Sequence, residues 1–221
     1  NTDGDVQSNV SANVAGGFSI VKGTGSGSGV QSAGHGLSSA PEFILVKNIN
    51  ATDNWFCLVP GLTSSNYYMR LNTTDAEINN GTPTIFADST TVSVRQNSMG
   101  SWGNLIAYCF HSVPGYSKVG SYTGNGSTST GKTIDLGFQP AFIMIKNITT
   151  TGSSSGWFMI DNKRNTSDPW NKYIFANNNA AEGTTTLSLT SVGATSFTVK
   201  SSGRAINYLG DNYIYMAFAT S

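Results

Sequence analysis

The feature that most constrains this sequence is an internal duplication. The segment PEFILVKNI at residues 41–49 returns as PAFIMIKNI at residues 140–148. Further pairs follow in the same order, and they are Gly17-Phe18 with Gly115-Tyr116, Trp55-Phe56 with Trp157-Phe158, Ala76-Glu77 with Ala181-Glu182, and residues 104–110 with residues 212–218. The offset between partners grows from 98 to 108, and each change falls in a polar stretch where a loop absorbs extra residues at little cost. The sequence therefore predicts two tandem copies of one unit.

The duplication sets the expected domain boundaries. A chain of 221 residues has room for two modest domains. We predict that repeat 1 spans residues 17–113 and that repeat 2 spans residues 114–221. Residues 1–16 are polar and show no periodicity, so we predict a linker or an attachment arm. The chain begins with Asn1 instead of Met and shows no leader pattern, from which we expect a longer precursor.

The local pattern is typical of strands. Both repeats contain short β-branched and aromatic runs bounded by Gly, Asn, Ser and Pro, and no long window has helical spacing. Predicted strands are 18–22, 43–48, 55–59, 67–71, 91–95 and 105–111 in repeat 1, and 116–122, 142–148, 157–160, 172–175, 185–189, 196–200 and 213–218 in repeat 2. Short helical turns are expected at residues 73–77 and 178–182. The fold class is all-β, with two tandem β-sandwich-like or jelly-roll-like repeats and almost no helix.

Composition narrows the possible partners. Charged residues make up 11% of the chain, against about 25% in typical soluble domains. The formal net charge is zero and no block of like charge occurs, which argues against a nucleic-acid partner. No apolar run approaches the ~18 residues that cross a bilayer, so no membrane insertion is expected. Neutral polar loops of this kind suit a β-protein that works outside a cell or on a particle.

One segment matches a catalytic motif by letters alone. Residues 126–133, GSTSTGKT, fit the phosphate-binding pattern G-x-x-x-x-G-K-[ST]. That loop works only where a helix follows it and points its N-terminus at the phosphates. Here Gly137 and Pro140 follow within a few residues, so we predict a hairpin loop. His35 and His111 are the only histidines, and no metal-ligand spacing is present. We therefore predict no enzymatic activity, no cofactor and no metal site.

Comparison of the repeats separates framework residues from the rest. Cys57 and Cys109 face Met159 and Ala217 in the alignment, which indicates apolar core positions, although a disulfide between them is an open alternative. Lys47 recurs as Lys146, and Glu77 as Glu182. Residues kept in both repeats are interpreted as folding features, here as a Lys–Glu pair or a cap.

The aromatic residues are sorted by the same comparison. Trp55 and Trp157 are equivalent and open apolar strands, so we predict core or near-core positions. Trp102 and Trp170 have no Trp counterpart and lie in polar, loop-like settings. Because loop aromatics are common binding anchors, we predict a surface-binding role for five residues, the alternative being lids over the sandwich ends. These five are Trp102, Trp170, Tyr67, Tyr68 and Tyr173.

A set of short segments carries a resemblance to a known family. The segments are residues 1–4, 17–21, 34–37, 40–48, 72–77, 115–118, 120–126, 137–142 and 213–218. In this combination the chain resembles a tandem β-repeat domain of unknown function found in structural proteins of tailed bacteriophages, especially marine ones. It departs from the common pattern at Lys22-Gly23 and Ser38-Ser39, where the first hairpin is altered.

The resemblance implies a location and partners. It implies a virion structural protein exposed on the particle, as a tail fibre, a spike or a capsid decoration protein. The expected partners are other virion proteins, a host-surface glycan or receptor used for adhesion, and further copies of the chain in a homo-oligomer. It supplies no catalytic residues.

Two functional expectations follow. The leading one is a non-enzymatic bacteriophage virion surface protein that acts by binding proteins or a host surface. The alternative is a carbohydrate-binding module of a secreted bacterial protein, which the neutral charge and the unpaired aromatics favour. A hydrolase ranks lowest because only two histidines are present.

Overall fold

The computed structural model describes residues 1–25, 28–152 and 154–220, without the side chains of residues 185–191. Two compact units are present. Unit 1 comprises Asn1–Leu71 and Glu77–Val113, and unit 2 comprises Asn72–Ala76 and Pro114–Ser221.

The described residues of unit 1 form ten strands and two short helical turns. The strands are β1 (Ser8–Asn13), β2 (Phe18–Gly23), β3 (Val30–Gly34), β4 (Phe43–Asn48), β5 (Trp55–Leu58), β6 (Tyr67–Arg70), β7 (Ile78–Asn79), β8 (Ile85–Ala87), β9 (Thr91–Arg95) and β10 (Leu105–Phe110). The turns are α1 (Gln96–Met99) and a 3-10 turn at Trp102–Asn104. One antiparallel sheet has the order β1-β2-β10-β4-β5-β6-β7, and a second has the order β3-β9-β8. Buried side chains of both sheets, among them Val46, Phe56 and Val94, share one core, so the unit is sandwich-like.

The described residues of unit 2 form eight strands in one sheet. The strands are β11 (Ser117–Thr123), β12 (Lys132–Asp135), β13 (Pro140–Asn147), β14 (Phe158–Asp161), β15 (Trp170–Phe175), β16 (Gly183–Val192), β17 (Ser196–Val199) and β18 (Asn212–Ala219). Their order is β11-β18-β13-β14-β15-β16-β17-β12. The ladders of β16 shift register near Trp170 and near Val192, and such irregularities bend a sheet. Ile145 of β13 and Phe197 of β17 lie in the same buried cluster, so the two halves of the sheet enclose one core.

Apart from β1, which has no counterpart in unit 2, the strands of the two units follow the same order. β2, β10, β4, β5 and β6 of unit 1 correspond to β11, β18, β13, β14 and β15 of unit 2, and β9 and β3 correspond to β17 and β12. The long strand β16 of unit 2 stands where unit 1 has the two short strands β7 and β8. The prediction of an all-β chain built from two sandwich-like repeats with almost no helix is confirmed.

The structure corrects several local predictions. The predicted strands are present with small shifts at their ends, but β1, β3, β7, β8 and β12 were not expected. A linker over residues 1–16 is wrong for Ser8–Asn13, because this segment pairs with β2 over six residues. Its sequence SNVSAN has Val10 as its one large apolar residue, so the ladder to β2 and not periodicity makes it a strand. The helical turns at 73–77 and 178–182 are wrong, and the α-helical turn lies at Gln96–Met99.

Candidate functional site

Three of the five aromatic residues predicted at the surface are buried. Trp102 is fully buried, and its Nε1 donates to the carbonyl oxygen of Gln31 at 3.0 Å. Tyr68 and Trp170 are each 6% exposed. The surface-binding prediction is therefore wrong for Trp102, Trp170 and Tyr68. Trp102 packs so closely on Gly23 that a Cβ atom there would lie 2.7 Å from the Trp102 Cβ, a contact that no local pattern reveals.

The two remaining aromatics are half-buried. Tyr67 lies on β6. Tyr173 lies on β15, and its ring packs on Phe158 and Phe175 with centroids 5.1 and 5.2 Å apart. Because the Tyr173 ring packs on two aromatic neighbours, Tyr173 is a residue of the framework. The prediction for the equivalent pair of tryptophans is confirmed, because Trp157 is fully buried and Trp55 is half-buried.

An open cleft of about 460 Å³ lies in unit 2, beside the loop that joins β14 to β15. Its lining consists of Gln139, Asn162, Asn165, Thr166, Ser167, Asp168, Trp170 and Val192. Among the described residues of this lining, the carboxylate of Asp168 is the only ionisable group. The cleft is therefore neutral to weakly acidic and rich in amide and hydroxyl groups.

The cleft loop has no full counterpart in unit 1. Cys57 of β5 pairs with Met69 of β6, and Met159 of β14 pairs with Ile174 of β15. The chain between the paired residues is three residues longer in unit 2. The offset between the repeats increases by three between Trp157 and Ala181, and these three extra residues lie in the loop that builds the cleft.

Asn165 holds the cleft loop in shape. It is 5% exposed, and its Nδ2 donates to the carbonyl oxygens of Asp161 at 3.1 Å and Lys172 at 2.9 Å. Its Oδ1 accepts from the backbone N–H groups of Asn171 at 2.9 Å and Lys172 at 2.8 Å. All four hydrogen-bonding positions of the amide are used, so Asn165 forms part of the frame.

An ion pair supports the start of the same loop. The Arg164 Nε donates to Asp161 Oδ2 at 2.6 Å, and the Arg164 Nη2 donates to the Met159 carbonyl oxygen at 3.0 Å. Burial acts to raise the pKa of Asp161, but the hydrogen bonds and the charge of Arg164 outweigh it, so this pKa lies below its ordinary value. Asp161 stays ionised and keeps Arg164 engaged outside the cleft lining.

Other lining groups have no hydrogen-bond partner among the residues that the structure describes. The side chains of Gln139, Asn162, Thr166 and Ser167 make no hydrogen bond to the described part of the chain. Asp168 uses Oδ1 to accept from the Val192 N–H at 3.2 Å, which leaves its other oxygen available to solvent. The cleft thus combines a fixed frame with several uncommitted polar groups.

The remaining sequence motifs have structural roles. Lys132 begins strand β12 and not a helix, so the phosphate-loop pattern lacks its essential second part, as predicted. Cys57 and Cys109 are buried free thiols, which confirms core positions and excludes the disulfide alternative. Within the described residues, no group of three His, Cys, Asp or Glu side chains is arranged to hold a metal ion.

Both histidine side chains contact backbone groups of the fold. His35 is fully buried, its Nδ1 accepts from the Leu37 N–H at 3.0 Å, and its Nε2 lies 3.2 Å from the Asp88 carbonyl oxygen. This geometry requires the neutral tautomer with its proton on Nε2. Burial is the main cause that lowers the pKa of His35. The His111 Nδ1 lies 2.8 Å from the carbonyl oxygen of Ser112.

The shared lysines bind carbonyl oxygens. Lys47 Nζ donates to Asn48 at 2.6 Å and to Ala51 at 2.9 Å, and the Glu77 carboxylate accepts from Thr63 instead. The interpretation as a Lys–Glu pair is therefore wrong for Lys47. In unit 2 the fully buried Lys146 donates to Asn147 and, at 2.8 Å, to the Asp75 carbonyl oxygen. A charged donor on a backbone acceptor gives a reason for a lysine at this point in both repeats.

Across the described residues, no helix has the length and hydropathy needed to span a membrane. Neither the curated proteins nor the solved structures gave a match. The family described as "Domain of unknown function (DUF7483)" matches residues 1–221, so the chain belongs to that family.

Proposed function

We propose that this protein is a non-enzymatic binding module on the surface of a bacteriophage virion. In this role it forms part of a tail fibre or spike, or decorates the capsid, and it contacts other virion proteins and a host surface. The resemblance of its repeats to phage structural proteins supports the setting. The open cleft in unit 2, with polar side chains that have no hydrogen-bond partner among the described residues, is the observation that carries the binding role.

A difference between the repeats supports a binding role for unit 2. The lysine found in both repeats is part of the framework, because Lys47 and Lys146 each donate to backbone carbonyl oxygens. The cleft loop, in contrast, contains three residues that unit 1 lacks. Extra loop residues on a rigid β-scaffold are a common way to add a binding surface.

The chemistry of the cleft favours binding over catalysis. Asp168 is the one titratable group in its lining. General acid–base catalysis requires donors and acceptors with matched pKa values at the reacting atoms, and nucleophilic catalysis requires a base beside the nucleophile. Neutral amides and hydroxyls supply neither, but they provide directional hydrogen bonds to a ligand.

Localisation on purified particles tests the proposal. Antibodies raised against the recombinant chain are used for immunogold electron microscopy of phage particles from the host culture that carries the gene. We expect gold at a fixed position on the tail or the capsid, and the protein in the particle proteome. Secretion by uninfected cells, with particles unlabelled, would overturn the virion setting and favour a secreted carbohydrate-binding module.

Assembly provides a second measurement. Surface fibres are commonly closed symmetric oligomers, and for a fibre we expect a trimer. Light scattering after size exclusion at micromolar concentration measures the mass directly. A stable monomer of 23.3 kDa would contradict the fibre version of the proposal.

A further inference from the structure

We propose that the cleft of unit 2 is a binding site for a neutral, hydroxyl-rich sugar. This inference rests on the proposed binding function and names its ligand class. The cleft is lined by residues of the β14–β15 loop together with Gln139, Trp170 and Val192.

The cleft has a suitable size. Its volume of about 460 Å³ lies within the range of about 300–1,000 Å³ of small-molecule sites. A cleft of this volume accommodates one or two sugar rings. Its open form suits the end of a glycan chain that extends into solvent.

The uncommitted polar groups match sugar hydroxyls. The amides of Gln139 and Asn162 each offer a carbonyl acceptor and an N–H donor, and the hydroxyls of Thr166 and Ser167 offer both functions. A sugar hydroxyl also donates and accepts, so neighbouring hydroxyls on one ring can each find a partner. The outer oxygen of Asp168 adds a strong acceptor.

Charge argues against other ligand classes. No Lys or Arg lies in the lining, so a phosphate or sulfate group would enter a site with one carboxylate and no counter-charge. A divalent cation prefers several carboxylates, and the lining holds only one. A neutral polyol has neither problem.

The apolar part of the lining is narrow. Trp170 is 6% exposed and Val192 is half-buried. Little of the indole surface is exposed, so it offers only a small apolar contact to C–H groups of the sugar. Affinity must come chiefly from the polar groups.

The frame limits the entropic cost of binding. The four hydrogen bonds of Asn165 and the Asp168–Val192 contact fix the loop before a ligand arrives. Pre-ordered groups lose less conformational freedom on binding.

The test uses the full chain and defined probes. Saturation-transfer NMR and isothermal titration are run with methyl glycosides of glucose, galactose and N-acetylglucosamine, and a neutral-glycan array extends the search. The first variant combines Asn162→Ala with Thr166→Ala, and the second is Asp168→Asn. The matched control is Thr128→Ala, an exposed residue on the separate loop 124–131 whose side chain makes no hydrogen bond to the described chain.

We expect binding by the unaltered chain and by the control, and about a tenfold or greater weakening in the double variant, since it loses two hydrogen bonds. Because the side chains of Asn162 and Thr166 make no hydrogen bond to the described residues, the double variant is expected to fold with an unchanged melting temperature. Binding that survives in both variants would place the sugar elsewhere and overturn the proposal. An absence of binding across all neutral probes would overturn it too.

The outcomes separate this inference from the proposed function. Sugar binding that depends on the cleft, with phage particles unlabelled, would sustain the sugar site and overturn the virion setting. Labelled particles without sugar binding would sustain the virion setting and overturn the sugar site. An array on which only anionic glycans bind would also overturn the neutral-sugar proposal.

Discussion

Asn48 and Asn147 perform the same task in the two repeats. Each ends the central strand of its unit, and each donates its Nδ2 to a carbonyl oxygen in the segment before the last strand. Asn48 donates to Met99 at 3.2 Å, and Asn147 donates to Arg204 at 2.7 Å. The Oδ1 of each accepts from the N–H group two residues later, at 3.0 Å in Asn50 and 2.8 Å in Thr149. In both units one asparagine side chain thus forms hydrogen bonds to two loops. The loss of free energy of unfolding on its removal should depend on how deeply it is buried.

Replacement of Asn147 by Ala is expected to lower the free energy of unfolding by about 3 kcal/mol, because buried polar partners lose their hydrogen bonds. Asn147 is fully buried and its Nδ2 also reaches Asp211 Oδ2 at 2.9 Å. Asn48 is only half-buried, so water replaces part of its contacts, and Asn48→Ala should cost about 1 kcal/mol. Urea unfolding at neutral pH measures both. Equal losses would show that burial does not decide the effect.

The buried Lys146 offers a second comparison between repeats. Its Nζ donates to the carbonyl oxygen of Asp75, which lies in the segment of residues 72–76. The same segment is also bound through the Ala76 N–H, which donates to Thr151 Oγ1 at 2.9 Å. Lys146→Met leaves buried carbonyl oxygens without a charged donor, and we expect a loss of about 3 kcal/mol. The carbonyl partners of the half-exposed Lys47 can be reached by water, so Lys47→Met should cost no more than about 1 kcal/mol.

Limited proteolysis gives an independent readout for Lys146. Cleavage within residues 72–76 should become faster in Lys146→Met and stay unchanged in Lys47→Met. Protection of this segment in both variants would contradict the role assigned to Lys146.

The sequence predicted the parts of the fold that local pattern specifies. Strands such as Phe43–Asn48 combine β-branched and aromatic residues in an apolar run, and the duplication reinforced each assignment. β12, with the sequence KTID, carries one apolar residue and owes its form to its ladder with β17. Such strands are fixed by tertiary pairing and were missed.

The candidate site was harder to predict for a related reason. Trp102 has a polar neighbourhood in the sequence, yet Gly23 and Gln31, about 70 or more residues away, enclose it. The cleft is built by a loop whose frame is the Asn165 amide, and no local sequence pattern predicts this role for Asn165. A signal did exist, since the repeat offset increases by three residues at this loop. The sequence alone does not say where in this stretch the three residues are inserted, and the strand pairs Cys57–Met69 and Met159–Ile174 show that they lie in the cleft loop.

The two cysteines provide a chemical test of the core. Both are free and fully buried, and burial raises the pKa of Cys109 to about 12. The Cys109 thiolate is therefore both inaccessible and scarce at neutral pH, and the Cys57 thiol is inaccessible because it is buried. We expect no modification of native protein by iodoacetamide over an hour at pH 8, and two labelled thiols per chain in denaturant. Mass spectrometry distinguishes these states, and labelling of the folded chain would contradict the packing described here.

Asp88 is expected to control stability in acid. Its Oδ1 accepts from the N–H groups of Thr90 at 2.8 Å and Thr91 at 2.6 Å, and these hydrogen bonds lower its pKa to about 2 from 3.8. A lowered pKa contributes stability above 3.8 that is lost as the pH falls towards 2. Because the carboxylate is exposed, we expect Asp88→Asn to cost only about 1 kcal/mol at pH 7. The variant should also lose less stability than the unaltered chain between pH 4 and pH 2, and parallel curves would argue against the assignment.

His35 should govern stability in a separate pH range. Its burial lowers its pKa below the ordinary 6.5, with Asp88 and Asp3 opposing this shift and His111 adding to it. Above pH 6.5 the folded and unfolded chains are both neutral at this residue. As the pH falls below 6.5, the unfolded chain takes up a proton first, so the free energy of unfolding decreases. We expect a lower urea midpoint at pH 5 than at pH 7.5.

The matched variants for this test are His35→Gln and His111→Gln. Glutamine at position 35 can still accept from Leu37 and donate to Asp88, but it does not titrate. His35→Gln should therefore flatten the dependence between pH 7.5 and pH 5, whereas His111→Gln should retain most of it. If the slope survives in His35→Gln, the neutral buried state of His35 does not set the pH response.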